Sequence, residues 1–467
     1  MSYGKVYLVG AGPGDAELIT VKGQRLIAQA DVILHDHLIP HELLTSAKAA
    51  AEIISVGKLA GRHTLPQPEI NDLIVEKAKA PGNRIVVRLK GGDPLIFGRG
   101  GEEAIACRQA GVEFEFVPGI TSALAVPCYG GIPPTHRDFT SNVAIVTGRR
   151  KEDKDVEIPK AGTIIFLMSV GNIRKIIAAL LKAGWSEDDR IAAIQNGTRY
   201  NQKVVTGTLR DFPETIEKAS LGTPAIFIVG KVVELCEQLG WFAAKPRIFL
   251  PGTHPEKYAH LGTIIHRPLI RSVHLENYAE ADEVFAQLQS FQWIVFTSTN
   301  GVKFFFDRLK ANDLDTRALH GVNVAAIGAT TAEALSRLGI RADMVPNLES
   351  SVGLLEEFAK KDMKGQHVLL VRPRVGASRL KDGLLEAGAV VDSVVVYRNI
   401  QIEPSDIDFE FVDQILFTSG STVRAFIDHY GSVPKHVKVL CLGRPTLDTA
   451  EQHGIEADLL EPTSDPD

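Results

Sequence analysis

The stretch Arg88–Glu103, RLKGGDPLIFGRGGEE, admits few folds. Ile85–Leu89 is a short run dominated by β-branched residues and reads as a buried strand. Gly91-Gly92-Asp93-Pro94 ends it. Gly98, Gly100 and Gly101 then free the backbone before a helix beginning near Glu102. A buried strand that stops in a glycine turn and passes into a helix is the repeating unit of an open α/β sheet, where ligands bind outside the carboxyl ends of the strands. Adjacent glycines let a ligand approach main-chain N–H groups, and Pro94 stiffens the turn. The alternative is a loop whose glycines serve its shape alone. Asp93, inside the turn, would repel a phosphate, so the ligand expected here is cationic.

The same unit opens the chain. Lys5–Val9 reads as a strand, Gly10-Ala11-Gly12-Pro13-Gly14-Asp15 as a turn and Ala16–Ala30 as a helix. The third glycine of a dinucleotide fingerprint would stand at Asp15, and Pro13 lacks an N–H a pyrophosphate would use. Asp36, after the strand Asp31–Leu34, keeps a nicotinamide dinucleotide as the weaker alternative. His35, His37 and His41 cluster without a third ligand at a metal spacing, so they read as solvated loop histidines and no metal is expected. Lys58 follows a strand-end glycine after Glu52–Val56 and is either a solvated charge or a site residue.

Glu113–Val117 reads as a further strand, and Thr121-Ser122 opens a helix of small residues. Strands at Val143–Thr147, Thr163–Leu167, Arg190–Ile194 and Ala225–Val229, a helix at Asn172–Ala183 and a two-stranded signal around Gln202–Gly207 describe a second α/β lobe. A cleft between two lobes is a usual ligand site.

Composition narrows the function classes. A chain of 467 residues holds about three domains of ordinary size. A formal net charge of −6 argues against nucleic-acid binding by bulk electrostatics. Cys107, Cys128, Cys236 and Cys441 form no CxxC pair, and no apolar run reaches the ~18 residues that span a bilayer. Met1–Tyr3 runs straight into a strand, without room for a signal peptide, so a cytoplasmic location is expected.

VGAGPGD (Val9–Asp15), GGDP…FGRGGEE (Gly91–Glu103), VPGITSA (Val117–Ala123), GIPPTHR (Gly131–Arg137) and PAIFIVGKVV (Pro224–Val233) occur in one order and spacing. Together they resemble the S-adenosylmethionine-dependent uroporphyrinogen-III C-methyltransferases, of the tetrapyrrole methylase family, over about residues 4–243. The resemblance implies S-adenosyl-L-methionine as methyl donor, S-adenosyl-L-homocysteine as product and uroporphyrinogen III as acceptor. It implies cofactor contacts at Pro13, Gly91, Gly92, Asp93, Ile96, Thr121, Ser122, Met168 and Gly197, and an acid–base pair in Asp36 and Lys58. The eight carboxylates of the tetrapyrrole make Arg88 and Arg137 candidate anchors, with Arg149 and Arg150 weaker ones. Methylases of this type are usually homodimers.

A new pattern starts at Lys245-Pro246, placing a boundary near Ala244 and an expected methylase with lobes of about 1–118 and 119–244. Residues 245–467 contain a duplication. Ile294–Val302 is similar to Ile415–Val423, Ala325–Thr331 to Leu440–Thr446, and Ile248–Pro251 to Val368–Val371, all about 120 residues apart. In each copy a strand ends in Thr-Ser before a helix. Such turns at Thr297-Ser298, Gly328–Thr331, Thr418-Ser419 and Gly443–Thr446 are either plain N-caps or carboxylate sites. TSxNG at Thr297–Gly301, GxxTA at Gly328–Ala332, Tyr397-Arg398 and Thr418-Ser419 resemble uroporphyrinogen-III synthase. That implies an α/β domain with lobes of about 245–275 plus 400–467, and 276–399, joined by a two-stranded ladder. It also implies closure of hydroxymethylbilane, with Tyr397 assisting loss of water and Thr297, Ser298, Thr331, Thr418, Ser419 and Thr446 binding substrate. Leu250-Pro251-Gly252 stands where the family commonly has Thr-Arg-Pro, so the alternative is a non-catalytic tetrapyrrole-binding or regulatory module.

Overall fold

The computed structural model describes residues 3–57, 65–148, 156–374, 379–403 and 406–460. The chain divides into two compact units, Met1–Arg247 and Ile248–Asp467.

The first sheet of unit one comprises β1 (Lys5–Gly10), β2 (Val32–His35), β3 (Glu52–Ser55), β4 (Ile85–Lys90) and β5 (Glu113–Val117), in the order β3-β2-β4-β1-β5. The pairs are parallel. Strand alternation splits its core in two. Val6, Leu8 and Val86 pack beneath α2 (Gln67–Lys79) and α3 (Gly100–Gln109), and Val9, Val87 and Leu89 beneath α1 (Val21–Gln29). The connections leaving β1 and β4 therefore depart to opposite faces, so the two neighbouring strands flank a topological switch point. The helix expected over Ala16–Ala30 is interrupted. A 3₁₀ turn at Ala16–Leu18 precedes α1, whose start is set by Thr20 accepting from the Gly23 N–H. α3 starts at Gly100, two residues before Glu102.

Helix α4 (Ser122–Tyr129) leaves β5 and packs Ala123 and Val126 on the second sheet. That sheet has the order β6-β7-β10-β8-β9, formed by β6 (Val143–Thr147), β7 (Thr163–Leu167), β8 (Arg190–Gln195), β9 (Lys203–Thr208) and β10 (Ala225–Val229). Only β6–β7 pair in parallel among its ladders, and the signal near Gln202–Gly207 is one strand, β9, antiparallel to β8. Helices α5 (Ile173–Lys182) and α6 (Phe212–Lys218) cover the face opposite α4. A short α7 (Cys236–Leu239) follows.

In unit two, β11 (Arg247–Leu250) and β12 (Thr263–His266) begin one sheet before the chain crosses to another. There it builds β13 (Ile270–Val273), α8 (Ala279–Phe285), β14 (Trp293–Phe296), α9 (Thr299–Ala311), β15 (Asn323–Ala326), α10 (Ala329–Ser336), α11 (Ser351–Phe358), β16 (His367–Pro373), α12 (Arg379–Glu386) and β17 (Val390–Gln401). It returns as β18 (Gln414–Phe417), α13 (Gly420–Tyr430), β19 (Lys438–Cys441), α14 (Arg444–Gln452) and β20 (Asp458–Leu459). The sheet orders are β12-β11-β18-β19-β20 and β13-β17-β16-β14-β15. The three duplicated sequence pairs occupy matching slots: β11-β18-β19 in one sheet, β16-β14-β15 in the other. β13 and β17 form an antiparallel ladder from Ile270↔Gln401 to Val273↔Arg398.

Among the described residues, no helix is long and apolar enough to cross a membrane, and no three His, Cys, Asp or Glu side chains are grouped to hold a metal ion.

At the switch point three loops meet closer than side chains allow. Gly12 and Gly92 exchange hydrogen bonds, N–H to carbonyl in both directions, at 3.3 and 2.8 Å. A Cβ on Gly10 would lie 2.5 Å from the Gly119 Cα and 2.6 Å from the Gly92 carbonyl oxygen, and one on Gly119 would overlap that same oxygen. A Cβ on Gly91 would meet only the Leu38 Cβ, at 3.9 Å. Gly119→Ala is therefore expected to destabilise unit one by about 1–3 kcal/mol through forced backbone separation, and Gly91→Ala by less than about 0.5 kcal/mol. Denaturant unfolding of both variants checks the contrast.

Candidate active sites

The loop after β4 is held by its own carboxylate. Asp93 accepts from the Leu95 N–H at 2.8 Å through Oδ1 and from the Gly119 N–H at 3.1 Å through Oδ2. Gly92 sits beside Thr121 and Ser122, its hypothetical Cβ 3.7 Å from the Ser122 nitrogen. Gly91, Gly92, Asp93, Thr121 and Ser122 are thus brought together, and Thr121 caps α4 by accepting from the Ala123 N–H. The second lobe closes on the same place. The Asp15 N–H donates to Thr198 Oγ1 at 3.0 Å, Tyr129 donates to Asp15 Oδ2 at 2.8 Å, and Arg199 donates to the Leu38 carbonyl at 2.8 Å. Pro13 lies in that first loop. Gly197 packs against Val126 of α4, in a turn where Asn196 and Thr198 take left-handed φ of 51° and 68°. Ile96 and Met168 are exposed, Met168 at the end of β7 with φ 55°.

One expectation changes in kind. The N–H groups of the glycine pair do not face a ligand: Gly91 donates to Asp36 Oδ2 at 3.4 Å and Gly92 to the Gly12 carbonyl. What the loops offer is carboxylate and carbonyl oxygen beside the apolar Leu95, Ile96 and Phe97, all exposed. Acceptors and apolar surface suit a cationic, aromatic-bearing cofactor and repel a pyrophosphate.

Arg88 is not a substrate anchor. Its side chain is 2% exposed. It donates from Nε to Glu103 Oε1 at 3.0 Å, to the Leu34 and Leu89 carbonyls, and to Asp36 Oδ1. Lys90, equally buried, donates to the same Glu103 oxygen at 2.8 Å. Neither Lys90 nor Glu103 was singled out from sequence, although a signal existed. Arg88 and Lys90, two apart on a buried strand, share a face, so the helix covering that face had to supply an acid. Burial by itself would raise the Asp36 carboxyl. The charges of Arg88 and Lys90, with hydrogen bonds from Arg88 and Gly91, outweigh it and hold Asp36 below the usual carboxylate range. Burial and the Arg88 charge push the Lys90 ammonium down, against the pull of Glu103.

His35 is buried rather than solvated, its Nδ1 2.9 Å from the Asp36 carbonyl oxygen. Arg137 is exposed and has no ion pair or hydrogen bond from its side chain among the described residues. Lys58, Arg149 and Arg150 lie outside the described residues.

In unit two the structure joins Tyr397, on β17, to Ser298, 99 residues earlier, with their hydroxyl oxygens 3.1 Å apart. Ser298 also caps α9, accepting from the Gly301 N–H at 2.9 Å. Tyr397 is 5% exposed and stacks on Phe304 at 5.2 Å. Burial raises its phenol, with the Ser298 bond pulling the other way, so it keeps its proton and can donate. The other hydroxyl turns are largely satisfied within the chain. Thr297 donates to the Val371 carbonyl at 3.2 Å, Thr446 to the Leu442 carbonyl at 3.0 Å, and Ser419 forms a capping box with Thr422. Thr418 packs against Gly252, and Thr331 is buried in α10. At the Gly328–Thr331 turn the anion is internal: Glu349 accepts from the Ala329 N–H at 2.8 Å. Plain N-capping accounts for Ser298 and Ser419, whereas α10 and α14 start on Gly328 and Gly443 without a side-chain cap from the turn.

With this geometry in view, residues 5–213 match the tetrapyrrole (corrin/porphyrin) methylases and residues 256–467 match uroporphyrinogen-III synthase HemD. The chain is 34% identical to a porphyrin biosynthesis protein HemD of Ruminiclostridium josui, over 97% of this chain and 95% of that protein. It is 49% identical to an S-adenosyl-L-methionine-dependent uroporphyrinogen III methyltransferase of Methanosarcina barkeri, over 51% of this chain and 96% of that one. A crystal structure of uroporphyrin-III-C-methyltransferase from Thermus thermophilus is also similar, at 38% identity and a TM-score of 0.44, covering 50% of this chain and 96% of that one. The family matches define a two-part protein of tetrapyrrole biosynthesis. The chain belongs to the family in which a tetrapyrrole methylase is followed by a uroporphyrinogen-III synthase in one polypeptide.

Glu103 carries the compensating charge for two buried cations, so Glu103→Gln is expected to destabilise unit one by about 3–5 kcal/mol, read from denaturant midpoints. Asp36→Asn tests the sign of the neighbouring pair. A carboxyl lowered by folding stabilises above its unfolded pKa and loses that contribution as pH falls through its folded value. Asp36→Asn should thus melt below the parent chain at pH 7, with the gap closing below about pH 4.

Proposed function

We propose that the chain is a bifunctional enzyme of tetrapyrrole biosynthesis. The first part, about residues 1–244, transfers methyl groups from S-adenosyl-L-methionine to two carbons of uroporphyrinogen III, giving precorrin-2 and S-adenosyl-L-homocysteine. The second part, about residues 245–467, closes hydroxymethylbilane to uroporphyrinogen III with inversion of the last ring and loss of water. The observation that carries the methylase reading is the convergence of the β1, β4 and β5 loops at the switch point, with the N–H groups of Gly12, Gly91, Gly92 and Gly119 consumed and the Asp93 carboxylate set among them.

S-adenosylmethionine supplies an electrophilic methyl group when bound. Pro13, Gly91, Gly92, Asp93, Ile96, Thr121, Ser122, Met168 and Gly197 are the residues proposed to hold it, Asp93 as acceptor and Ile96 and Met168 as apolar surface. Alignment of the acceptor carbon supplies much of the acceleration. Asp36 stays ionised between its cationic neighbours and accepts the proton that the methylated, positively charged ring must lose. Its weak basicity suffices because that carbon acid is strong. Lys58 is its proposed partner, and Arg137 a proposed anchor for substrate carboxylates. In the second part, Tyr397 donates its proton or hydrogen bond to the departing hydroxyl, held in place by Phe304 and Ser298. Thr297, Ser298, Thr331, Thr418, Ser419 and Thr446 are proposed to line the substrate path. A cytoplasmic homodimer is the proposed form.

A second reading has one observation in its favour. The hydroxyl turns of unit two are mostly engaged within the chain, and Glu349 caps α10. A non-catalytic tetrapyrrole-binding module would look the same.

Incubating the full chain with hydroxymethylbilane and S-adenosylmethionine is expected to yield precorrin-2. Only the type I isomer of spontaneous closure would favour the second reading. Asp36→Asn should lower the methylation kcat by about 10²-fold or more while cofactor affinity, read by calorimetry, stays near the parent value. Equal loss of both would make Asp36 a binding residue. Tyr397→Phe should slow cyclisation and leave methylation unchanged.

A further inference from the structure

Arg372 ends β16 in an unusual state. Its Nε is buried and has no hydrogen-bond partner, and no ion pair or hydrogen bond of its side chain exists among the described residues. The residue as a whole is only part-buried, so solvent reaches some of it. Strand alternation assigns its direction. Leu369 and Val371 face the core beneath α9, whereas Val368 and Leu370 face the core beneath α11 and α12, and Arg372 continues the second series. On the neighbouring β17, Ser393 pairs with Leu370 and Val395 with Arg372, which puts the Ser393 side chain on that same face. Ser393 Oγ is likewise buried without a partner. On the other side, Thr297 follows β14 on this face, beyond Val295, and its hydroxyl is turned to the Val371 carbonyl.

An arginine cannot shed its proton, and a buried Nε without a partner calls for an acceptor. No ion pair of Arg372 with an acidic side chain exists among the described residues. Two N–H donors of a fork and one free hydroxyl match a planar acceptor with two oxygens, which is a carboxylate.

We propose that Arg372 and Ser393 form a carboxylate subsite on the α12-side face of the lobe-two sheet, taking one acidic side chain of the tetrapyrrole handled by unit two. The substrate class rests on the cyclase reading; the anion chemistry does not. The subsite lies at the carboxyl edge that also carries Ser298, the partner of Tyr397. It fixes one arm of a flexible bilane without touching the reacting group, so its contribution falls on binding rather than on the chemical step.

The test uses the full chain with Arg372→Met, which keeps length and removes charge. The KM for hydroxymethylbilane is expected to rise about tenfold with kcat changed less than about threefold, and methylation of uroporphyrinogen III to stay unchanged. An arginine held only for structure predicts the opposite in the free protein. Removing a side chain whose buried Nε is unsatisfied raises the unfolding midpoint of unit two, whereas removing a structural arginine lowers it. Hydrogen exchange in the peptide carrying His367–Pro373, with and without uroporphyrin III, reads the subsite apart from turnover. Protection in the parent chain that is lost in Arg372→Met supports it, even if no type III isomer forms and the cyclase reading falls. An unchanged KM, equal protection in both chains, or equal protection by inorganic phosphate alone would overturn it.

Discussion

Three main chains meet at the carboxyl edge of the first sheet at a distance that no Cβ permits, and the chemistry of unit one follows from that contact. Gly10, Gly92 and Gly119 let the loops after β1, β4 and β5 touch, and Gly12 and Gly92 pair as though in a short ladder. The pairing consumes N–H donors that a phosphate-binding loop would present, and Asp93 consumes another from Gly119. Removing donors leaves an acceptor-rich rim, which favours a positively charged ligand over an anion by simple Coulombic sign. The same contact sets the start of α4 beside Gly92, and α4 carries the second lobe. Cofactor selectivity and lobe placement thus share one steric cause.

Beneath that rim lie two buried cations and the buried Glu103, with the part-exposed Asp36 beside them. Arg88 and Lys90 are joined by Glu103, while Asp36 at the edge receives Arg88 from below and the Gly91 N–H from above. A carboxylate in a half-apolar site would ordinarily drift upward and protonate. Here the cations hold it ionised, and Glu103 keeps those cations in place. The positions of Arg88 and Glu103 are therefore electrostatic support for Asp36, and Arg88 is too deeply buried to reach a substrate at the surface.

Much of this architecture was legible in the residues. β-branched runs located β4, β7 and β10 within a residue, because burial on both faces leaves no polar alternation to confuse the period. The duplicated Thr-Ser turns anticipated matching slots in the two sheets of unit two. What sequence could not supply was direction. Whether Arg88 points to solvent or into the layer beneath α3 depends on strand register across the sheet, as does the burial of His35. The hydroxyl turns show the same limit. Thr297 and Thr446 read as free donors until tertiary pairing reveals the carbonyls they already serve, and nothing local marks Glu349 as the cap of a helix twenty residues earlier. The break at Thr20 was missed for a nearer reason, since its apolar flanks kept a helical spacing through the cap.

The duplication in unit two joins equivalent backbones to unequal chemistry. β16-β14-β15 and β11-β18-β19 hold corresponding places, yet the chain enters the two copies at different strands, so corresponding edges end in different loops. In one copy the strand beside β16 is the twelve-residue β17, long enough to carry Tyr397 to the Ser298 turn and to stack it on Phe304. Its counterpart, β12, is four residues long. The copy with the long strand therefore holds a protonated, oriented phenol, and the other holds Ser419 and Thr422 closed on one another in a capping box. On the proposed cyclase reading, a ring closure needs one acid and a surface that grips the rest of the chain, not two acids. Loss of symmetry between the copies is what such a division of labour requires.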